Sequence, residues 1–167
     1  SLKLIFSIEE VPLGTAGPLA LAEKYLTDNG TSSAPFFVLN SDVTCAFNLQ
    51  ALLETHTKAN AEGTIAVTKV DDPSRFGVVV YDQSTTRIER FVEKPKSFVG
   101  DRINAGLYVL NPSVIARVPR DPATNAPVPT SIERVVFPAI AADGRLYAHA
   151  MPGYWMDLGK PSDFVDG

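Results

Sequence analysis

Phe36-Phe37-Val38-Leu39 runs straight into Asn40-Ser41-Asp42, and this stretch constrains the fold more than any other in the chain. A short continuous apolar run closed by turn-forming polar residues predicts a strand buried on both faces, as in the parallel sheets of α/β domains. Open sheets of that kind collect their ligands at the carboxyl ends of the strands. Asp42 stands at that end. Two readings are open at this point: a metal or phosphate site, or a carboxylate that turns the chain and caps the next segment.

The rest of the pattern supplies elements for such a sheet. Residues 2–8 alternate as a strand, and 13–18 form a loop into a helix over 19–26, with Pro18 suited to its first turn. The helical spacing of Leu49, Leu52, Leu53 and His56 predicts a helix over 48–60 that stops before Gly63. A strand comes next over 64–68, then a hairpin-like pair over 77–81 and 87–92, a strand over 103–110 and a short helix over 112–116. Thr130-Ser131-Ile132-Glu133 has the form of a capping box, opening a helix to about Ala142 that Pro138 should kink. Late strands over 145–150 and 153–156 precede a helix start at Pro161-Ser162-Asp163-Phe164. Helices alternating with strands, then mixed β pieces, predict an α/β fold: a Rossmann-like mixed, mostly parallel sheet flanked by helices. Strand-like alternation from the first residues and a helix start at the last ones predict that 1–167 is a fragment of a longer protein.

Composition narrows the function. The net charge is −4 and the basic residues are scattered, without the stripe that a nucleic-acid polymer requires. No apolar run is long enough to span a membrane. Cys45 is the single cysteine, which excludes an intrachain disulfide and a thiolate metal cage and suits the cytosol. Asn29-Gly30-Thr31, formally a glycosylation acceptor, there reads as a turn.

Several chemistries lack their residues. There is no G-x-G-x-x-G loop, no Walker lysine motif and no G-x-S-x-G elbow. His56 and His149 lie on a helix and an apolar strand and read as structural. What remains is a series of polar insertions at strand ends. Leu13, Gly14, Thr15, Ala16 and Gly17 offer bare backbone that can press against a planar base, or simply a tight turn. Glu93-Lys94-Pro95 sets an acceptor for sugar hydroxyls beside a point charge for phosphate, or is a solvated charge pair. Asn104, with Ala105-Gly106 after it, can read a hydroxyl or make a turn. Trp155-Met156-Asp157-Leu158-Gly159 carries the only Trp and a second carboxylate. Two aspartates bridged by substrate phosphate oxygens form a common magnesium site.

With these residues in place, the chain resembles the sugar-1-phosphate nucleotidylyltransferases, and within them most the mannose-1-phosphate guanylyltransferase (GDP-mannose pyrophosphorylase) branch. The motifs are Leu13-Gly14-Thr15-Ala16-Gly17-Pro18, Leu39-Asn40-Ser41-Asp42, Phe76-Gly77-Val78-Val79, Phe91-Val92-Glu93-Lys94-Pro95, Asn104-Ala105-Gly106 and Trp155-Met156-Asp157-Leu158-Gly159. They occur in the family's order across nearly the whole chain. The resemblance implies that Asp42 and Asp157 bind Mg²⁺ and that Asp42, Lys94 and Asp157 carry catalysis. It implies that Glu9, Leu13, Gly14, Thr15, Ala16, Gly17 and Asn40 bind the nucleotide. Gly77, Glu93 and Asn104 would hold the mannose, and Lys94 its 1-phosphate. The ligands implied are GTP, mannose 1-phosphate and GDP-mannose, with no nucleic-acid polymer and no membrane, and the full-length protein is expected to be an oligomer.

The chain also departs from that pattern. A Gly-rich loop bearing an Arg and a downstream Lys, which cradles the triphosphate in the family, is not among these residues, nor is the family's left-handed β-helix. Val11 stands where the guanylyltransferases commonly have an acidic residue. The resemblance thus implies that 1–167 is a partial catalytic domain, incomplete at its N-terminus, and that these residues alone are inactive. Two other functions compete: a non-catalytic GDP-mannose-binding regulatory homologue, and a metal-dependent glycosyltransferase, which usually presents Asp-x-Asp where this chain has Asn40-Ser41-Asp42.

Overall fold

The computed structural model describes residues 3–46 and 48–159. Its elements are α1 (Gly17–Leu21), α2 (Glu23–Leu26), β1 (Phe36–Leu39), β2 (Val43–Cys45), α3 (Leu49–Lys58), β3 (Gly63–Lys69), β4 (Gly77–Tyr81), β5 (Ile88–Glu93) and β6 (Arg102–Leu110). A 3₁₀ helix (Pro112–Arg117) and a π turn (Ile132–Val136) leading into α4 (Phe137–Ala142) come next, before β7 (Leu146–Ala150) and β8 (Trp155–Asp157). The expected helix start at Pro161 lies outside the described residues.

The long strand β6 organises the sheet. It carries β3 along one edge, and β4 and then β1 along the other; β5 pairs with β4, and β7 with β3. The sheet is mixed and flanked by helices, as expected, but among the described residues it is not mostly parallel. Strands β1, β3, β4 and β7 run one way, yet β6 runs between them in the opposite direction, and only β3 and β7 form a parallel pair. A central antiparallel strand is as apolar as a parallel one, so residue type carried no signal of direction.

Alternation sorts the core onto two faces. Ile65, Val67, Tyr108 and Leu110 pack on one side with Phe137, Ile140, Val114 and Ala20; Ala66, Ala105, Leu107 and Val109 pack on the other with Leu52 of α3. Buried aliphatic and aromatic side chains such as these each contribute roughly 1.5–3 kcal/mol. Tyr108 and Phe137, with ring centroids 5.1 Å apart, join β6 to α4.

Four local expectations are corrected. Residues 3–8 form no strand: they have no partner among the described strands, and Leu4, Phe6 and Ile8 are exposed. Strand β1 is half-buried rather than buried on both faces, because among the described strands only β6 pairs with it. The first helix breaks at Ala22, where Arg120 takes the Ala20 carbonyl (3.3 Å) that a continuous helix would offer to Lys24. The capping box does not form as drawn. Thr130 donates its N–H to Leu13 and accepts from Ala16 N, so Ser131 becomes the N-cap and accepts from Arg134 N at 3.2 Å. Pro138 sits just past the π turn, whose wider i→i+5 bond from Phe137 N to Ile132 O accommodates the missing N–H.

Candidate functional site

The strand ends converge on a cavity of about 200 Å³. Asn40, Asp42, Gly77, Glu93, Lys94, Asn104 and Asp157 all line it, drawn from segments more than a hundred residues apart. Asp42 lies three residues beyond β1, and its neighbour Val43 opens β2, which pairs with β8 so that Val43 faces Asp157. The Leu158 N–H closes this ladder on the Asp42 carbonyl at 2.7 Å. Two carboxylates 115 positions apart are thereby fixed at one end of a two-stranded ribbon. Asp157 Oδ1 also accepts from Gly159 N at 2.8 Å.

Lys94 directly follows β5 with φ +46°, a left-handed conformation that costs a non-glycine residue about 1–2 kcal/mol. Its N–H is held by the Phe76 carbonyl (3.1 Å), and its ammonium lies 4.0 Å from Glu93. Phe91 and Glu93 pack so closely on residue 77 that they leave room only for glycine. A Cβ there would stand 2.6 Å from Phe91 Cζ and 2.9 Å from Glu93 Oε2. Burial pushes the Glu93 carboxyl above its ordinary range, and the nearby Glu133 carboxylate adds to the rise.

Asn104 owes its position to an irregularity in β6. Ile65 pairs with Tyr108 but Val67 pairs with Asn104, so β6 bulges through Ala105-Gly106-Leu107, with Gly106 at φ +78°. Bulges re-aim side chains beside functional sites. The Asn104 amide donates to Tyr108 Oη and accepts from Gly106 N, both at 2.9 Å, which fixes the amide with donor and acceptor capacity left over. Asn40 N donates to the Gly106 carbonyl at 2.9 Å, tying β1 to the same bulge.

The cavity wall carries four carboxylates, Asp42, Glu93, Glu133 and Asp157, against two cations, Arg75 and Lys94. A phosphate ester entering here meets an excess of two negative charges, so a divalent cation fits the site electrostatically. The donor chemistry agrees. Among the described residues neither Asp42 nor Asp157 has an ion-pair partner, and both offer the hard oxygens that Mg²⁺ takes. No group of three or more His, Cys, Asp or Glu gathers for a metal among those residues. Phosphate oxygens and water would have to complete the octahedral set.

Glu9, Leu13, Gly14, Thr15, Ala16 and Gly17 do not line this cavity. Glu9 Oε2 accepts from Leu13 N (2.8 Å), Leu13 is buried, and Gly14 presses on Thr130, where a Cβ would meet the carbonyl oxygen at 2.6 Å. Thr15 connects the loop to the cavity: its hydroxyl donates to Glu133 Oε2 at 2.6 Å. His56 is held between Thr64 Oγ1 (2.9 Å) and Asn111 Oδ1 (3.0 Å), and His149 by Thr55 Oγ1 (2.8 Å). Burial lowers both imidazoles, and neither reaches the cavity.

Sequence reasoning missed Glu133, which the capping motif explained away, and Arg75, which carries no motif signal. Arg75 lies over the Phe76 ring, 5.9 Å from its centroid, and Phe76 meets Trp155 edge-on at 5.5 Å. Trp155 in turn donates to the Ala105 carbonyl at 2.9 Å, closing the cavity floor.

The chain is similar to known proteins over its whole length. The nucleotidyl transferase family model matches residues 1–167. A mannose-1-phosphate guanyltransferase of Aspergillus oryzae is 54% identical over 168 residues, covering 100% of this chain and 43% of that protein. A probable mannose-1-phosphate guanylyltransferase of Arabidopsis thaliana is 52% identical over 166 residues, 99% of this chain and 47% of that protein. The chain thus spans less than half the length of these curated relatives. Among solved structures, a putative glucose-1-phosphate thymidylyltransferase from Bacillus anthracis superposes with a TM-score of 0.78 at 21% identity, over 95% of this chain and 61% of that one. HddC from Yersinia pseudotuberculosis superposes with a TM-score of 0.71 at 28% identity, over 95% and 62%.

Proposed function

The chain belongs to the nucleotidyl transferase family, and from that premise we propose that the protein containing it transfers GMP from GTP to mannose 1-phosphate, giving GDP-mannose and pyrophosphate. The observation that carries the reading is the convergence of Asp42, Asp157 and Lys94 on one cavity with the polar groups Glu93 and Asn104. That set supplies charge and position but no nucleophile or general base in an activated pair. It suits a reaction in which the substrate brings its own nucleophile, a phosphate oxygen.

In this reading a 1-phosphate oxygen of the sugar attacks the α-phosphorus of GTP in line. The new P–O bond forms as the bond to the departing pyrophosphate breaks. Positioning and charge stabilisation do most of the catalytic work in such transfers. Glu93 and Asn104 hold sugar hydroxyls, the glycine at 77 lets the sugar approach the backbone, and Lys94 holds the 1-phosphate. Asn40 and the loop Leu13-Gly14-Thr15-Ala16-Gly17, with Glu9 behind it, face the nucleotide. Asp42 and Asp157 would hold Mg²⁺, which supplies neutralisation of the triphosphate and of the charge on the leaving group. The same reading carries the cytosol as compartment and an oligomeric full-length protein. Among the described residues no helix is long and apolar enough to cross a membrane.

The test is turnover by the full-length protein with GTP, mannose 1-phosphate and Mg²⁺. GDP-mannose and pyrophosphate should appear in equal amounts. Release of free GDP, or binding of GDP-mannose without turnover, would overturn the reading. Asp42→Asn and Asp157→Asn should each lower kcat by about 10²–10³-fold, the scale of losing one preorganised charge-stabilising group. Each should also raise the Mg²⁺ concentration that gives half-maximal activity.

A further inference from the structure

The segment carrying Glu133 is fastened to the loop 13–17 by a run of short bonds. Thr130 N donates to the Leu13 carbonyl and Ala16 N donates to the Thr130 carbonyl, both at 2.9 Å. Ile132 N donates to Thr15 Oγ1 at 2.8 Å, and the Thr15 hydroxyl donates onward to Glu133 Oε2 at 2.6 Å. Ser131 Oγ donates to the same carboxylate oxygen at 2.8 Å. Thr15 therefore uses its hydroxyl once as acceptor and once as donor, a pairing that fixes its orientation. Gly14 is held against Thr130 so closely that no side chain fits between them. At the far end of this clasp, Glu133 lines the cavity that holds Glu93 and Lys94.

We propose that Glu133 is a positioning residue that sets the nucleotide-facing loop through Thr15. This inference rests on the functional reading above and adds a residue to it. A hydrogen bond to a carboxylate is roughly twice as strong as one between neutral groups, and this one is short. A loop built of glycine, alanine and one threonine has few other side chains with which to fix itself. Glu133 is anchored by Ser131 on its own segment, so the carboxylate is a fixed post and the loop is the part that it holds.

The experiment is steady-state kinetics on the full-length protein with Thr15→Val, Thr15→Ser, Glu133→Ala and the Thr15→Val/Glu133→Ala double variant. Thr15→Val should raise the KM for GTP about tenfold, equivalent to ~1.4 kcal/mol, with the KM for mannose 1-phosphate and kcat within about twofold of the parent. Thr15→Ser keeps the hydroxyl and should recover at least half of that loss. The double variant should lose less GTP affinity than the two single losses added together, because both changes remove the Thr15–Glu133 bond, while the acceptor for the Ile132 N–H is lost only with Thr15→Val. A GTP KM within about twofold of the parent in Thr15→Val, equal effects on both substrates, or additive effects in the double variant would each overturn the proposal. Thr15 is exposed, so its valine variant stays informative if Glu133→Ala fails to fold. If the parent protein forms no GDP-mannose, the functional reading has failed. If the parent is active and the variants match it, only this inference has.

Discussion

At the scale of single residues, Lys94 and Glu93 show opposite compromises at one corner of the site. Lys94 keeps a strained backbone and an exposed ammonium. Replacing it by alanine should leave the unfolding temperature of the protein almost unchanged while raising the KM for mannose 1-phosphate by about tenfold or more, the scale of a lost charged contact. Calorimetry and kinetics on the same preparation separate the two effects. Glu93 is held in a place that disfavours its charge, by burial first and by Glu133 second. Its carboxyl is raised above the ordinary 4.5, so the unfolded chain ionises more readily than the folded one. Stability linked to this group is full below pH 4.5 and falls as the pH rises through the raised value. Glu93→Gln should therefore raise the melting temperature at about pH 7.5, with the gain disappearing near about pH 4, while the sugar binding proposed for Glu93 is lost. A thermal-melt series across pH reads the sign directly.

At the scale of elements, two irregular features build the cavity. One is the β6 bulge at Ala105-Gly106-Leu107, and the other is the short β2–β8 ribbon. The close approach of Gly77 to Phe91 and Glu93 belongs with them. Gly77→Ala places a methyl 2.6 Å from the buried Phe91 ring, so the ring or the strand beneath it must shift. The expected cost is about 1–3 kcal/mol, typical of overpacking, together with weaker binding at the proposed mannose 1-phosphate site. Urea unfolding and ligand titration of the variant check both parts. The sequence showed these elements unevenly. Helix α3, with its Asn48 cap accepting from Ala51 N, and the β4–β5 hairpin were legible because apolar periodicity and turn residues are local signals. The start of the π turn was misplaced because Thr130 is claimed by Leu13 and Ala16, partners more than a hundred positions away.

At the scale of the whole molecule, one ion network ties together the side remote from the cavity. Glu62, 2% exposed at the start of β3, receives two bonds of 2.7 Å from Arg117 and lies 3.4 Å from Arg145. Arg117 also donates to Asp143 after α4 at 2.6 Å. The network joins β3, the 3₁₀ helix, α4 and the approach to β7 around the apolar core. Arg117→Met should destabilise by about 3–5 kcal/mol, because it leaves a buried carboxylate short of its main partner. Arg117 holds the Glu62 carboxyl below its ordinary 4.5, so this contribution is present above pH 4.5 and is lost as the pH falls through the lowered value. Acid titration of the parent and the variant should show the parent losing more stability between about pH 5 and pH 3.

Local sequence picked out most of the polar side chains that line the cavity, though not Glu133 or Arg75. It also determined the α/β character of the chain and that Asp42 stands beyond the carboxyl end of a strand, because apolar runs and turn residues act over a few positions. Tertiary pairing alone set the antiparallel course of β6 through the sheet centre, the meeting of Asp42 and Asp157 at one cavity through β2 and β8, and the reach of Glu133 into that cavity and onto Thr15. These outcomes depend on pairings between segments tens to more than a hundred residues apart. The free energy of such a contact depends on which surfaces meet, and no local run of residues encodes that.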